Sequence, residues 1–247
     1  APLIRRAFVA RGGYNLVVGD LSQEEFRIAA FLSEDPEMLD IIRDGRDWHY
    51  ETALSAFGHT PTEEERYYGK QGNFSLLNGA GVARTARACK APKGVGQLLY
   101  DGFHRRYKRY QSWRDEVAED IAKTGYAYTY YGRRRFLPGI WSRDPVVKEE
   151  AIRQGVNMPI QGTAADILKI ALVRLDGDLR DHDAGIVSIV HDEIVVEALD
   201  SEVSYVIQCL HRVSLNLLGD MALPVIVEVG KNWSKFSPDN PNGLRSV

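Results

Sequence analysis

The chain has 247 residues, of which 44% are hydrophobic and 26% are charged, with a net charge of −3. This composition is typical of a globular protein with enough apolar material for one large domain or two small ones. No apolar run approaches the ~18 residues of a membrane-spanning helix and no basic-then-apolar leader is visible, so we expect neither a span nor a signal peptide. The net charge alone does not decide for or against a nucleic-acid partner, because the distribution of charge matters more than its total.

Residues 14–20 read as a buried strand with Asp20 at its end. The next four residues open a helix with a capping-box pattern, Ser22 followed by Glu25, so the simplest role of Glu25 is to bond the backbone at the helix start.

Another helix is predicted to begin at Thr62, which has the same capping-box spacing to Glu65. It carries Arg66, Lys70 and Phe74 at intervals of four. At ~1.5 Å rise per residue these side chains form one stripe roughly 12 Å long. Two cations followed by an aromatic ring suit a triphosphate followed by a sugar and a base. The alternative is a solvated basic face next to a core phenylalanine.

Periodicity and turn signals predict further elements along the chain. They are helices from 36 and over 47–57, 98–123, 147–180 (broken at Pro159) and 201–218, a hairpin over 126–138, a strand over 224–229, and a poorly ordered tail over 237–247. The hairpin carries arginines beside tyrosines, which suits phosphate contacts and base stacking, although a merely soluble surface is the alternative. Arg153, Asn157 and Gln161 form a polar stripe four residues apart.

A second hairpin is predicted over 186–197, where two runs rich in Val and Ile flank His191, Asp192 and Glu193. Turns often contain Asp for local backbone bonding, so a structural role for Asp192 is the simpler interpretation of this stretch alone. If its tip meets the end of the strand at Asp20, however, two carboxylates face each other, which is costly without a cation. Mg²⁺ is the natural occupant, and two such ions ~3.5–4 Å apart would clamp the oxygens of a phosphoryl displacement.

Five motifs in sequence order resemble signatures of family A DNA polymerases, the DNA polymerase I type. They are Asp20-Leu-Ser-Gln-Glu-Glu-Phe-Arg27 (motif A), Arg66-x3-Lys70-x3-Phe74 (motif B), Gly132-Arg-Arg-Arg135, Asn157-Met-Pro-Ile-Gln-Gly-Thr-Ala-Ala-Asp166, and Val190-His-Asp-Glu193 (motif C). The resemblance runs from about residue 4 to Trp233. It implies an α+β fold with an antiparallel palm sheet flanked by helices and an inserted, mostly α-helical fingers subdomain. We expect palm in 1–35 and 146–236, fingers with associated helices and hairpin in 36–145, and a flexible tail in 237–247.

The resemblance also implies roles for individual residues. Two Mg²⁺ ions, for which Mn²⁺ can substitute, would be held by Asp20, the Leu21 carbonyl and Asp192. The implied catalytic residues are Asp20, Asp192, Lys70 and Glu193. The implied nucleotide-binding residues are Arg66, Lys70, Phe74, His49, Glu25 (the steric gate against a ribose 2′-hydroxyl) and Gln23. The implied DNA-binding residues are Arg153, Asn157, Gln161, His191, Arg133, Arg134 and Asn78.

The implied reaction is template-directed DNA synthesis, in which dNMP is added from dNTP to a primer 3′-hydroxyl with release of pyrophosphate. The implied partners are primer-template DNA and dNTPs, with no membrane, in the cytoplasm of a bacterial cell or phage-infected host. A thumb and exonuclease precede motif A in the family, so we expect a second polypeptide or an N-terminal region to carry the thumb and possibly the exonuclease.

The sequence departs from the family at Asn78, where a Tyr is usual, and at Ser75, where a Gly is usual. Asn78 puts placement of the template base in question, but not the metal chemistry. Two alternatives stay open. A phage-type single-subunit RNA polymerase shares the three motifs, although Glu25 argues against room for a 2′-hydroxyl. A non-catalytic DNA-binding remnant is the other, against which the retained acidic and basic residues argue.

Overall fold

The structure is a computed structural model that describes residues 2–247, with side chains from residue 4 onward. The helices are α1 (Pro2–Arg5), α2 (Glu24–Ser33), α3 (Pro36–Arg43), α4 (Trp48–Phe57), α5 (Glu63–Leu77), α6 (Val82–Cys89), α7 (Lys93–Arg106), α8 (Lys108–Thr124), α9 (Pro145–Leu179) and α10 (Val203–Val213). The strands are β1 (Tyr14–Leu21), β2 (Tyr126–Tyr128), β3 (Arg134–Phe136), β4 (Ala184–Val190), β5 (Glu193–Leu199), β6 (Val225–Gly230) and β7 (Arg245–Ser246). Within the described part of the chain, no helix is long and apolar enough to cross a membrane.

The chain divides into two compact units. The first comprises Ala1–Glu24 and Ala164–Val247 and is called the sheet unit here, because it contains β1 and β4–β7. The second, Glu25–Thr163, is mostly helical with the small β2–β3 hairpin and is called the helical unit. The assignment of palm and fingers to particular residue ranges stays a prediction.

The sheet unit is built on a five-stranded sheet in the order β4-β5-β1-β6-β7, in which every pair is antiparallel. The predicted α+β class with an antiparallel sheet is therefore confirmed. β1 is central because its apolar residues, such as Val17 and Val18, are buried on both sides of the strand. The buried stripe of α10 packs there: a Cβ on Gly19 would lie 2.9 Å from a methyl of Leu210. A side chain at position 19 would therefore require the Leu210 side chain to move.

The helical unit has an aromatic core. Phe26 of α2 stacks on Trp48 of α4, with ring centroids 4.0 Å apart. Phe103 of α7 packs edge-on against Tyr107 at 4.9 Å and Tyr110 at 6.0 Å. Burying such rings is among the larger stabilising contributions available to a small domain.

The predicted single helix over 98–123 is wrong, since α7 and α8 are separate. Tyr107 between them has φ −98° and ψ 63°, outside the helical region. The break turns Tyr107 into the core, where its hydroxyl is 3.0 Å from that of Thr52. The backbone N–H of Tyr110, in the first turn of α8, donates to the buried carboxylate of Asp35 at 3.0 Å. Burial of the ring and this side-chain cap offset the helical hydrogen bonds lost at the break.

The predicted helix break at Pro159 is also wrong, because α9 runs through it from Pro145 to Leu179. A proline inside a helix costs about 3 kcal/mol through the missing N–H and a clash with the preceding turn. The neighbouring side chains of Val156, Met158 and Ile160 are all buried. Their packing offsets that cost, which sequence periodicity alone does not show.

Residues 237–247, expected to be a flexible tail, are packed against the sheet unit. β7 pairs with β6, and Leu244 is buried. The side chain of buried Asn240 exchanges hydrogen bonds with that of Asn232 at 2.9 and 3.1 Å. The polar residues that suggested disorder therefore satisfy one another in a folded loop.

Candidate active site

The two predicted carboxylates lie at adjacent strand ends in the sheet unit. β1 pairs with β5 so that Asp20 is directly opposite Glu193. β4 and β5 are joined by a two-residue turn, His191 and Asp192, in which His191 has φ 57°. The N–H of Leu21 donates to the carbonyl of Asp192 at 3.3 Å, which ties the turn to the end of β1. The expectation that these strand ends coincide is confirmed.

Burial, and after it the negative charges of Asp192 and Glu193, raise the pKa of Asp20 to about 6. Lys235 counteracts the shift in part. Such a carboxylate favours an arrangement in which a cation lies nearby.

The donor set fits a hard divalent cation. Among residues 4–247, no group of three or more His, Cys, Asp and Glu side chains converges to hold a metal ion. At the strand ends the available oxygen ligands are the carboxylates of Asp20 and Asp192 and the backbone carbonyl of Leu21, the residue after Asp20. Mg²⁺ is commonly bound by one or two carboxylates and otherwise by waters and substrate phosphates, so this limited set suits it.

Asp20, Asp192 and Glu193 together are called the acidic corner here. The carboxylate of Glu193 is hydrogen-bonded to residues outside this corner. Its Oε1 accepts hydrogen bonds from Arg5 at 3.1 Å and from the Trp233 indole N–H at 2.6 Å. Its Oε2 accepts from the second guanidinium nitrogen of Arg5 at 3.0 Å. Both carboxylate oxygens therefore have cationic or N–H partners within the sheet unit.

In the helical unit, α5 presents the predicted cationic stripe. It begins with the predicted cap: Thr62 and Glu65 form a reciprocal capping box. Arg66 donates to Asp47 at 2.6 Å, and Asp47 also accepts from the backbone at the start of α4. Burial raises the pKa of Asp47, but the hydrogen bonds from Arg66 and the backbone N–H of Tyr50 outweigh it and hold the pKa below its usual value. Arg66 is thus oriented by an acid that stays ionised.

His49 lies on α4 beside this stripe and is buried. Burial, and after it the positive charges of Lys70 and Arg66, lower its pKa to about 4, although Asp47 opposes the shift. Its Nδ1 is 3.2 Å from the side-chain nitrogen of Asn73. At neutral pH His49 is therefore an uncharged hydrogen-bonding group.

Gly69 explains how α4 and α5 approach so closely. A Cβ there would lie 2.3 Å from the backbone oxygen of His49. The close contact leaves Lys70 on the exposed side of α5 and Phe74 48% exposed, 5.8 Å from the His49 ring. Lys70 and Phe74 are therefore both exposed on the same helix, as the spacing predicts.

Three further predicted residues lie near the start of α2 and in the hairpin turn. Glu25 is half-buried in the first turn of α2, close enough to Tyr110 for its charge to help raise the pKa of that hydroxyl. Gln23 is exposed with φ 53°, and His191 is exposed in its turn. Their implied contacts with nucleotide or primer stay predictions.

A cavity of about 520 Å³ in the helical unit is lined by polar side chains from α5, α6, the hairpin and α9. Asn78, at the end of α5, lies on its wall: its side-chain oxygen accepts from Gln161 at 2.9 Å and its backbone oxygen accepts from Asn157 at 3.2 Å. Arg153 also lines the cavity and pairs with Glu150. The predicted DNA-contacting amides are thus brought together, and they are hydrogen-bonded to one another.

The predicted arginine-rich hairpin forms as β2 and β3. Arg133 donates to the carbonyl of Gly162 at 2.9 Å, and the guanidinium of Arg134 lies 5.4 Å from the centre of the Tyr126 ring. Both residues are exposed. The arm is anchored internally while its surface stays accessible.

Several supporting residues were missed by sequence reasoning. Asp47 orients Arg66, and although the sequence placed Asp47 at the start of a helix, it did not predict this contact. Arg114 donates to the carbonyl of Leu77 at 2.8 Å, beneath the end of α5, and nothing in the local pattern predicts this. Arg5 and Trp233 are separated from Glu193 by 188 and 40 residues, so no local signal could have joined them.

Comparison with known proteins agrees with these observations. The family described as DNA polymerase family A matches residues 2–235. A thermostable DNA polymerase I of Thermus thermophilus is 35% identical over 235 residues, and a DNA polymerase I of Pseudomonas aeruginosa is 35% identical over 240 residues. These alignments cover 93% and 94% of this chain but only 28% and 26% of the relatives.

A solved structure gives the same result. The POL domain of Pol1 from M. smegmatis, in complex with DNA primer-template and dNTP, superimposes with a TM-score of 0.85 at 33% identity, covering 93% of this chain and 42% of that one. The five ordered motifs, the antiparallel sheet and the matched family agree over nearly the whole length. The chain belongs to DNA polymerase family A.

Proposed function

We propose that this chain carries the nucleotidyl-transfer centre of a DNA-directed DNA polymerase. The observation that carries the proposal is the meeting of Asp20 and Asp192 at adjacent strand ends, where the pKa of Asp20 is raised to about 6 by burial and by neighbouring negative charge. The substrates would be primer-template DNA and dNTPs, as in the solved relative, whose complex contains both.

In the reaction, the primer 3′-hydroxyl oxygen forms a bond to the α-phosphorus of dNTP. The bond from that phosphorus to the pyrophosphate oxygen breaks with its electron pair staying on pyrophosphate, and the hydroxyl proton passes to solvent water. Asp20, Asp192 and the Leu21 carbonyl would hold Mg²⁺. When bound, two such ions lower the pKa of the hydroxyl and neutralise charge on the departing pyrophosphate.

The helical unit would bind the triphosphate. Arg66, fixed by Asp47, presents a guanidinium to phosphate oxygens, and Lys70 is exposed on the same stripe. Lys70 can donate its ammonium proton to the pyrophosphate as it leaves. Neutral His49 adds a hydrogen bond rather than a charge, and Phe74 offers a ring to the sugar. Since phosphoryl transfer depends mainly on positioning and electrostatics, this set of residues is sufficient in kind.

Glu25 would make the reaction selective for deoxynucleotides by excluding a ribose 2′-hydroxyl. Its position at the start of α2 is fixed and half-buried, as a steric gate requires. Shortening it in Glu25→Ala should raise incorporation of ribonucleotides relative to deoxynucleotides. If wild-type protein incorporates both equally well, the RNA polymerase alternative gains instead.

Primer extension with and without EDTA tests the proposal. The wild type should extend a primer in the presence of Mg²⁺, and Asp192→Asn should abolish extension while leaving the melting temperature nearly unchanged. Asp176→Asn, an exposed aspartate on α9, is the matched control and should keep wild-type activity. Extension by Asp192→Asn at the wild-type rate would refute the proposed role, and absence of extension by the wild type with DNA still bound would favour a DNA-binding protein.

A second polypeptide or N-terminal region carrying a thumb stays a prediction. Phosphate contacts supply most non-specific affinity for duplex DNA, so added contacts should tighten binding, make it depend more steeply on salt concentration, and lengthen the products made per encounter. The prediction is tested by adding a purified candidate polypeptide to the extension assay. Long products from the 247-residue chain alone would contradict it.

A further inference from the structure

The acidic corner of the sheet unit contains three carboxylates, of which the proposed reaction uses two. Glu193 follows Asp192 in the chain and lies directly opposite Asp20 in the β1–β5 register. Directly opposed residues in an antiparallel pair have Cβ atoms about 5 Å apart and share one face of the sheet. A glutamate in this place has the reach to ligate the same cation as Asp20.

Hydrogen bonds from Arg5 and Trp233 fix the Glu193 carboxylate in one position. Arg5 donates to both oxygens of Glu193 at 3.1 and 3.0 Å, and the Trp233 indole N–H donates to one of them at 2.6 Å. A bidentate arginine fixes the plane of a carboxylate as well as its charge. The Glu193 side chain is only 13% exposed.

The two donors are themselves held in place. The Arg5 guanidinium lies 4.6 Å over the Trp233 ring, which allows a cation–π contact. Phe8 packs edge-on against the same ring at 5.6 Å, and its carbonyl accepts the Trp233 backbone N–H at 3.0 Å. Both contacts lie within the sheet unit. Arg5 and Trp233 are together called the clamp here, and it is formed around Glu193 in this structure.

We propose that Arg5 and Trp233 are positioning residues that keep Glu193 out of the set of metal ligands formed by Asp20 and Asp192. The proposal rests on the metal-binding role proposed above for that pair. A site with two carboxylates leaves coordination positions for water and substrate phosphates, which Mg²⁺ requires in phosphoryl transfer. A third carboxylate would bind the cation more tightly and occupy a position that the substrate needs.

The test is a titration of the complete chain with Mn²⁺ alone, without DNA or nucleotide, in which free Mn²⁺ is followed by electron paramagnetic resonance. Arg5→Ala should lower the Kd for Mn²⁺ by about tenfold, because released Glu193 would add a third negatively charged ligand and affinity rises with ligand charge. The same variant should extend primers more slowly. Tighter metal binding together with slower turnover is a combination that simple structural damage does not produce, since damage weakens both.

Two control variants separate release of Glu193 from loss of positive charge. Arg6→Ala removes a neighbouring cation that pairs with Asp239 instead, and it should leave the Kd for Mn²⁺ unchanged. Arg5→Ala combined with Glu193→Gln should return the Kd to the wild-type value or weaker. If Arg5→Ala does not fold, Trp233→Phe removes only the indole donor and should tighten Mn²⁺ binding by a smaller factor.

The outcomes separate this proposal from the one on which it rests. Unchanged or weaker Mn²⁺ binding in folded Arg5→Ala and in Trp233→Phe, with normal binding by the wild type, overturns the clamp alone. Equal tightening by Arg6→Ala also overturns it, because a general charge effect would then be sufficient. Failure of the wild type to bind Mn²⁺ overturns the metal site itself and the clamp with it.

Discussion

The two units concentrate charge of opposite sign, and each shifts the pKa of one side chain accordingly. In the sheet unit, burial and the charges of Asp192 and Glu193 raise the pKa of Asp20 to about 6. In the helical unit, burial and the charges of Lys70 and Arg66 lower the pKa of His49 to about 4. In both places burial is the largest cause of the shift, and neighbouring charges of the same sign add to it. The comparison supports the proposal that the sheet unit binds metal cations and the helical unit binds the anionic triphosphate.

The supports of the two sites also differ. The acidic residues lie at strand ends fixed by backbone pairing, so their position depends little on side-chain partners. The cationic residues project from α5, where Asp47 orients Arg66 and the close contact at Gly69 fixes the spacing of α4 and α5. In the sheet unit, backbone pairing therefore holds the carboxylates together against their repulsion. In the helical unit, the hydrogen bond between the side chains of Arg66 and Asp47 holds that cation in place.

The largest effect expected in the helical unit is that of Lys70→Ala. Loss of the exposed ammonium should reduce the rate of primer extension by about 10²–10⁴-fold, in the range expected when a proton donor is lost. Single-nucleotide incorporation measured across dNTP concentrations would show it mainly in kcat. Lys123→Ala, an exposed lysine on α8, is the control and should behave as wild type. Equal losses in both variants would indicate a general electrostatic effect.

A pH effect on stability is expected from His49. Its folded-state pKa lies below the unfolded value, so the stability it contributes is present above about pH 6.5 and is lost as pH falls toward 4. A shift from 6.5 to about 4 corresponds to at most about 3 kcal/mol. Urea unfolding at pH 7, 5 and 4 should show a smaller acid loss for His49→Gln than for wild type.

The matched control for that experiment is His211→Gln, since His211 is exposed on α10. It should keep the wild-type dependence of stability on pH. Equal acid sensitivity of His49→Gln and wild type would show that His49 is not held neutral by its surroundings.

The pH dependence of stability that is expected from Asp20 has the opposite sign to that expected from His49. Its folded-state pKa is raised, so the relative stability it contributes is present below about pH 3.8 and is lost as pH rises through about 6. Asp20→Asn should therefore stabilise the metal-free protein at pH 8, by no more than about 2 kcal/mol after solvent screening, and the gain should disappear near pH 4.

Mg²⁺ sharpens that experiment. Because binding to the folded state alone stabilises it, Mg²⁺ should stabilise the wild type and not Asp20→Asn at pH 8. A gain in Asp20→Asn that is the same at pH 4 and pH 8 would contradict the raised pKa of Asp20.

The smallest effect is expected at the wall of the cavity. Gln161→Ala removes the hydrogen bond to Asn78 and should cost about 0.5–1 kcal/mol of unfolding free energy, since the pair is exposed to solvent. Asn78→Ala should cost slightly more, because the carboxamide also donates to Phe74 at 2.9 Å. The double variant should lose less than the sum, which a double-mutant cycle of urea midpoints would measure.

The sequence was sufficient for the features that depend on local pattern. The strands next to Asp20 and Asp192 follow from runs of apolar and β-branched residues, and the stripe on α5 follows from the 3.6-residue period of a helix. The capping box at Thr62 followed from its spacing to Glu65.

What could not be predicted depends on tertiary contacts. Tyr107 breaks a helix only because a core pocket with Thr52 receives its ring. Pro159 fails to break one only because its neighbours are buried. The partners of Glu193 come from both ends of the chain, and the neutrality of His49 arises from burial that no spacing reveals.

The most direct test of the acidic site is Mn²⁺ binding by the wild type beside Asp20→Asn and Asp192→Asn, measured without DNA or nucleotide. If Asp20 and Asp192 form the metal site, the wild type should bind Mn²⁺, and either substitution should remove most of this binding while the protein stays folded. Binding that is unchanged in both variants would contradict a metal site at these strand ends.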